Sequence, residues 1–279
     1  MIRSFLLGMG QLLVEGGKID ENLNRATDMI ARASSAGCRI VVLPECLDSG
    51  WTHPSAVELA EPVPGPTSDV LAASAAEHNI YVVAGITERA GQKVYNTAVL
   101  LSPAGGLLLV HRKINVLGIA QDIYSIGDRL GVAETELGTI GVSICADNFP
   151  NSLVFAHSMA RMGARLILSP SAWAVDADAT DESEPYGAMW REAYAEVAKL
   201  YDLTVAGVSN VGPITGGPWE GRKCIGKSVA VGPEGEVIAQ GSYGISAEEL
   251  VTTQVTLREA PARGTSLCGL LCERGYEGP

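Results

Sequence analysis

Three short segments each place a reactive side chain just beyond an apolar run: Glu45 after Val41-Val-Leu-Pro, Lys113 after His111-Arg, and Cys145 after Gly138-Thr-Ile-Gly-Val-Ser-Ile. An acid, an ammonium and a thiol form a coherent chemical set. The carboxylate can accept the thiol proton, the sulfur can attack a carbonyl or nitrile carbon, and the ammonium can stabilise the resulting anion. Ile140, Val142 and Ile144 alternate as in a half-buried strand, and Cys145 falls on the opposite parity with the small residues Gly141 and Ser143. Pro150 suits the first turn of a following helix. A thiol at such a turn lies near helix amides, whose partial positive charge favours thiolate. Cys145 is the candidate nucleophile.

Strand ends on one edge of a sheet are where α/β folds gather such groups, and the chain supplies the strands. The pattern predicts a strand over Phe5–Leu13 and a helix over Asp20–Ser35 with Leu23, Ala26, Ile30 and Ala33 on one face. Gly37 stops that helix, and the strand Arg39–Leu43 follows. A helix near Asp69–His78, a strand Ile80–Ile86 and hairpin strands Val94–Leu101 and Leu107–His111 come next. Beyond Cys145 the reading is a helix over Asn151–Met162, a strand Arg165–Leu168, and an acid-rich loop Asp176–Glu184. A helix then carries Trp190, Tyr194, Val197, Ala198 and Tyr201 on one stripe. The strand Leu203–Val208, the hairpin Ser228–Val231/Glu236–Ala239 and a strand near Leu250–Val255 complete the pattern, with residues 260–279 as an irregular tail. Two βαβ-like halves imply two sheets covered by helices.

The length suits one domain over residues 1–279, and no linker divides it. A net charge of −12 argues against nucleic acid or an anionic membrane as partner. The apolar run at the N-terminus is too short for a signal peptide, and no stretch reaches the apolar length that spans a bilayer. Six scattered cysteines fit a reducing cytoplasm. Cys268 and Cys272 lack a second pair or a nearby histidine, and the four histidines show no metal-ligand spacing, so no metal is expected.

Leu43-Pro-Glu45, Arg112-Lys113 and Gly141-Val-Ser-Ile-Cys145-Ala-Asp147 resemble the three signatures of the nitrilase superfamily, the carbon–nitrogen hydrolases. Tyr95-Asn-Thr97, Ser169-Pro-Ser-Ala-Trp173 and Val208-Ser-Asn210 extend the likeness, which runs from Gln11 to about Ala239. Each motif alone is weak; three in the right order are strong. The resemblance implies a four-layer α-β-β-α sandwich that pairs through its cysteine-bearing region into a homodimer or larger homo-oligomer; the irregular tail over residues 260–279 is expected to lie against a neighbouring subunit. It implies Glu45 as general base, Cys145 as nucleophile, Lys113 as oxyanion stabiliser and the Ala146 N–H as a second donor, with no cofactor. The implied reaction is hydrolysis of a small aliphatic or carboxylated amide, or an N-carbamoyl compound, through an acyl-enzyme. Water and the amide are the expected partners.

Two positions depart from the family pattern. Where a second glutamate usually follows the lysine, Gln121 falls near the place, with Asp122 beside it. Gln121 can orient an amide but cannot act as a base. The residue after the nucleophile is often aromatic, and here it is Ala146. The missing second glutamate keeps open a catalytically impaired member serving as a binding subunit; a nitrilase acting on a small nitrile is the runner-up, ranked lower because Ala146-Asp147, not Trp-Glu, follows Cys145.

Other motifs carry blander readings. Gly221-Arg-Lys-Cys-Ile-Gly-Lys227-Ser228 matches the phosphate-loop pattern letter for letter, but loop precedes it and a hairpin follows, so it is a false positive. Cys38, Cys46, Cys224, Cys268 and Cys272 read as small buried hydrophobes, and Asp147 as a cap for the next helix. Trp173, Trp219 and Tyr124 sit in loops beside strand ends, as candidates for substrate contact.

Overall fold

In the computed structural model, which describes residues 3–182 and 186–278, strands and helices alternate twice along the chain. β1 (Arg3–Gln11) leads through α1 (Ile19–Ser35) to β2 (Cys38–Val42), then α2 (Ala56–Leu59) and α3 (Pro66–Glu77) to β3 (Tyr81–Ala90). β4 (Lys93–Leu101) and β5 (Leu107–Arg112) close this half as a hairpin. The second half runs through β6 (Val132–Thr135), β7 (Gly138–Val142), α4 (Val154–Arg161), β8 (Leu166–Ser171), β9 (Ala174–Val175), α5 (Ala188–Tyr201) and β10 (Thr204–Ser209). Then come β11 (Val211–Pro213), β12 (Lys223–Ile225), β13 (Val229–Val231), β14 (Val237–Gln240), β15 (Glu249–Leu257) and α6 (Gly264–Glu273).

The two six-stranded sheets are β15-β1-β2-β3-β4-β5 and β14-β13-β10-β8-β7-β6. Each has a parallel centre: β1, β2 and β3 in one, β7, β8 and β10 in the other. Antiparallel strands flank each centre. A third, small sheet joins β11, β12 and β9.

Strands buried on both faces need cover on both sides, and this explains the layers. On the outer face of the first sheet, Leu23, Ala26, Met29, Ile30 and Ala33 of α1 and Leu71 and Ala75 of α3 pack against Val41, Leu43, Val82 and Val99. That spacing on α1 is the 3.6-residue stripe read from the sequence. Between the sheets, Phe5, Leu7, Ile40, Val42, Val83 and Leu100 meet Ile140, Val142, Leu166, Leu168 and Val205. The same cluster continues into Met159 of α4 and Trp190, Val197 and Tyr201 of α5. The result is an α-β-β-α sandwich.

Several sequence expectations are corrected. Residues 260–278 do not form an irregular tail: α6 packs on its own chain, with Leu267 and Leu271 buried in the main core and Tyr276 stacked on His157 at 4.7 Å between ring centroids. The i, i+4 pair of leucines is the driving stripe, and it was hidden among Gly264, Gly269 and Gly275. Cys268 and Cys272 project to the opposite, exposed side of α6, whereas Cys38, Cys46 and Cys224 are buried as expected. Strands β6, β9, β11 and β12 are too short to show periodicity. The last two residues of the loop Asp176–Glu184 lie outside the described residues. At the phosphate-loop lookalike, β12 and β13 occupy the place where a helix would have to start, and Lys227 pairs with Asp181.

Truncation of Leu271 to alanine is expected to lower unfolding stability by about 2–5 kcal/mol through the cavity it leaves. Ser266→Ala, on the exposed side, should stay within about 0.5 kcal/mol. Equilibrium urea denaturation of both variants checks whether α6 belongs to the cooperative core.

Candidate active site

Glu45, Lys113 and Cys145 follow the C-terminal ends of β2, β5 and β7, and the sandwich brings them to one buried place. Their exposures are 1%, 2% and 8%. Lys113 Nζ donates to Glu45 Oε1 at 2.6 Å, and Asn96 Nδ2 donates to the same oxygen at 2.6 Å. Glu45 Oε2 has no hydrogen-bond partner. The Glu45 N–H donates to the Ser171 carbonyl at 3.2 Å, tying the acid of one sheet to β8 of the other. Gly85 of β3 makes that approach possible: a Cβ there would lie 2.6 Å from Glu45 Cα and 3.0 Å from Pro170 Cβ.

Lys113 is held by its backbone before its side chain is considered. Its N–H donates to Asn96 O and its carbonyl accepts from Gly127 N–H, both at 2.8 Å. Gly127 has to be glycine, because a Cβ would lie 2.1 Å from the Arg112 carbonyl oxygen. Burial opposes the ammonium charge, but the carboxylate of Glu45 outweighs it, and Lys113 stays protonated with its pKa raised.

Cys145 sits in the left-handed region at φ +42°, at the start of a 3-10 turn over Cys145–Asn148. Such a conformation costs a non-glycine residue free energy and holds only where the surroundings over-determine it. Here they do: the Cys145 N–H donates to Ser169 Oγ at 3.0 Å, and Asn148 Nδ2 reaches the same oxygen at 2.9 Å. The Ala172 N–H points at the sulfur, with Glu45 and Lys113 beside it.

The expectation of a preformed thiolate is corrected. Burial, then the negative charge of Glu45, push the Cys145 thiol up to about 12, and Lys113 and the Ala172 amide do not offset them. The helix that might have supplied amides, α4, starts only at Val154. Burial and the neighbouring acid both favour the thiol over the thiolate.

Asp147 does more than cap a turn. It accepts the Ile144 N–H on Oδ2 at 3.1 Å, and His111 Nε2 donates to that same oxygen at 2.8 Å. Oδ1 accepts the N–H groups of Ile114 (3.1 Å) and Asn115 (2.7 Å). One fully buried carboxylate thus grips the chain on both sides of Lys113 and holds it to the cysteine turn. Burial opposes its charge, but His111 and the Asn115 amide outweigh that, and its pKa is lowered. Asn115 adds a bond from Nδ2 to the Ala146 carbonyl at 2.7 Å.

Of the remaining candidates, Ala146 is fully buried beside Cys145. Trp173, after β8, is 1% exposed, and its indole Nε1 has no partner. It stacks on Trp190 at 5.0 Å, with Tyr186 at 6.1 Å. Gly207 leaves room for this group, since a Cβ would lie 2.3 Å from Tyr194 Oη and 2.9 Å from Trp173 Cζ2. Tyr124 is buried against Thr52, whose N–H it accepts at 3.2 Å. Gln121 and Asp122 are exposed, Gln121 donating to the Val116 carbonyl at 3.1 Å, and neither bonds to the trio among the described residues. Trp219 packs edge-on against Trp51 at 4.9 Å. Asn115 escaped the sequence reading, and Asn96, His111 and Ser169 entered it only as parts of quoted segments, because their roles depend on partners distant in the chain. No group of three or more His, Cys, Asp or Glu residues among those described could hold a metal ion.

A family model described as carbon-nitrogen hydrolase matches residues 7–262. An omega-amidase from Xenopus tropicalis is 36% identical over 179 residues, which cover 61% of this chain; the chain spans 64% of that relative's length. A nitrilase from Pyrococcus abyssi is 32% identical over 245 residues, 85% of this chain and 84% of that protein. The crystal structure of a carbon-nitrogen hydrolase from Helicobacter pylori superposes with a TM-score of 0.80 at 21% identity, covering 90% of this chain and 89% of the other, and shows the shared fold.

With the thiol protonated at rest, alkylation of Cys145 by iodoacetamide should rise about tenfold per pH unit across roughly pH 7–9, without a plateau. Peptide mapping of the labelled chain gives the rate, and a plateau near neutrality would contradict the assignment.

Proposed function

Because the chain belongs to the carbon–nitrogen hydrolase family, we propose that it hydrolyses a small amide or N-carbamoyl compound through a cysteine acyl-enzyme. The observation that carries the reading is the burial of acid, ammonium and thiol around one point, with a single carboxylate oxygen left unpaired. Glu45 Oε1 is occupied by Lys113 and Asn96, so Oε2 is the oxygen free to work as a base.

Since the resting sulfur is a thiol, proton transfer accompanies attack. Glu45 Oε2 takes the Cys145 proton as sulfur bonds to the carbonyl carbon. The oxyanion that forms is stabilised by Lys113 and the Ala146 N–H. Glu45 returns the proton to the departing nitrogen, the C–N bond breaks, and ammonia or an amine leaves. A water then gives its proton to Glu45 and attacks the thioester, releasing the acid and restoring the thiol. The unpartnered indole N–H of the buried Trp173 supports the reading of that side chain as a substrate contact. Gln121 and Tyr124 enter only as framework, since their side chains are engaged with Val116 and Thr52. The nitrilase reading has one support, the Pyrococcus abyssi relative, which matches more of this chain than the omega-amidase does.

Ammonia release from a panel of small amides, N-carbamoyl compounds and nitriles tests the proposal. Cys145→Ala should lose at least about a thousandfold in rate with an unchanged melting temperature, and Glu45→Gln about a hundredfold or more. Full activity in Cys145→Ala would sink the mechanism, and turnover confined to nitriles would favour the second reading.

The proposal includes a reducing compartment, the cytoplasm, where six unpaired thiols persist. No helix of the described residues is long and apolar enough to cross a membrane. It also includes a homodimer or larger assembly through α4 and α5, whose surface carries Val154, Met189 and the adjoining Met162 in the open. Sedimentation velocity should give a species of at least twice the chain mass, and Met162→Glu with Val154→Glu should shift it toward monomer.

A further inference from the structure

A cavity of about 560 Å³ lies at the end of β7 opposite to the one that Cys145 follows. Gly138 and Thr139 begin β7, Arg165 directly precedes β8, and Leu257 ends β15 with Arg258 next, so residues of both sheets line the cavity. Arg165 lines it and is 6% exposed. Its Nε donates to the adjacent Ala164 carbonyl at 2.9 Å, and Nη1 has no hydrogen-bond partner. Among the described residues no carboxylate lies within ion-pair distance of this guanidinium. The nearest acid acting on it, Asp202, is already bonded to Arg274 at 3.1 Å, while Arg263 and Arg274 add charge of the same sign. Burial drives its pKa down to about 10, which still leaves it charged at neutral pH.

A buried, charged group with an unmade hydrogen bond is among the costlier features a fold can hold. Arg258 and Arg263 line the same space, with Glu134 and Glu259 the acids that face them. We propose that this cavity is a binding site for a small oxyanion, a carboxylate or phosphate group, seated on Arg165 between Arg258 and Arg263. The planar guanidinium matches either group in a forked geometry that neither chloride nor water reproduces. The site is separate from the catalytic reading and does not depend on it. The backbone of Arg165 bonds to Thr139 O and Thr204 N, at 2.9 and 3.1 Å. Occupancy therefore pins the starts of three adjacent strands, β7, β8 and β10, and stabilises the fold.

The test is a thermal melt of the whole chain in sodium phosphate, in sodium acetate and in sodium chloride, at equal ionic strength and pH 7. A saturable rise of about 5 °C over chloride is expected at a hundredfold excess over Kd. A rise with either anion supports the site, and the larger rise identifies the preferred headgroup. Arg165→Met should abolish the rise while melting no lower than the parent in chloride, because it removes an uncompensated buried charge. If that variant does not fold, Arg263→Gln should weaken the apparent affinity threefold or more. No rise beyond chloride, or an equal rise in Arg165→Met or Arg263→Gln, overturns the proposal.

Discussion

The ion pair between Lys113 and Glu45 is the constraint around which this molecule is arranged. Each charge is almost fully removed from water, and an isolated buried charge of either sign would be intolerable. The 2.6 Å contact sets the ammonium against the carboxylate, and removal of either partner from such a buried pair costs about 3–5 kcal/mol. The two residues come from strands at different positions in one sheet, and the acid is also bonded to the opposing sheet through Ser171. The pair therefore exists only when both sheets are packed. Its cost is the reason the surrounding backbone is so fully bonded.

The cysteine is placed by a second set of constraints that leave it strained and protonated. The left-handed turn at Cys145 is held by Ser169 and Asn148, and Asp147 links that turn to the lysine segment through four donors. A thiol in so dry a place, beside a carboxylate, does not ionise unaided. The arrangement favours a sulfur whose proton is lost only when a base with a free oxygen is in position to receive it. Under the proposed mechanism Lys113 does not have to hold a standing thiolate, only the charge that develops on the substrate.

Sequence and structure part company in places that share a physical cause. The long elements were legible because a buried stripe on α1, or alternation in β3, β4 and β7, leaves a periodic trace over many residues. The short ones, β9, β11 and β12, leave none. The tail over residues 260–279 looked irregular because glycines interrupted its leucine pair, yet those leucines found a preformed core to bury in. Gln121 was placed near the trio by counting from Lys113, but counting does not fix where a loop points, and its amide turns to the Val116 carbonyl. Asp147 read as a helix cap from its spacing to Pro150, whereas most of its partners lie more than thirty residues away in the chain.

Residue types at strand ends, read with the three family-like segments, singled out Glu45, Lys113 and Cys145, and packing brings these three together. Order and spacing of the three segments, with the alternating elements between them, sufficed for the layered α/β architecture. What tertiary packing alone decided was the electrostatic setting of the set: which carboxylate oxygen lacks a partner, and that burial and neighbouring charges push both the Lys113 ammonium and the Cys145 thiol toward their protonated forms. These depend on desolvation and on contacts across two sheets, and neither quantity is written in local sequence. The orphaned guanidinium of Arg165 belongs to the same category, since a strand-initial arginine looks ordinary until the neighbouring strands close over it.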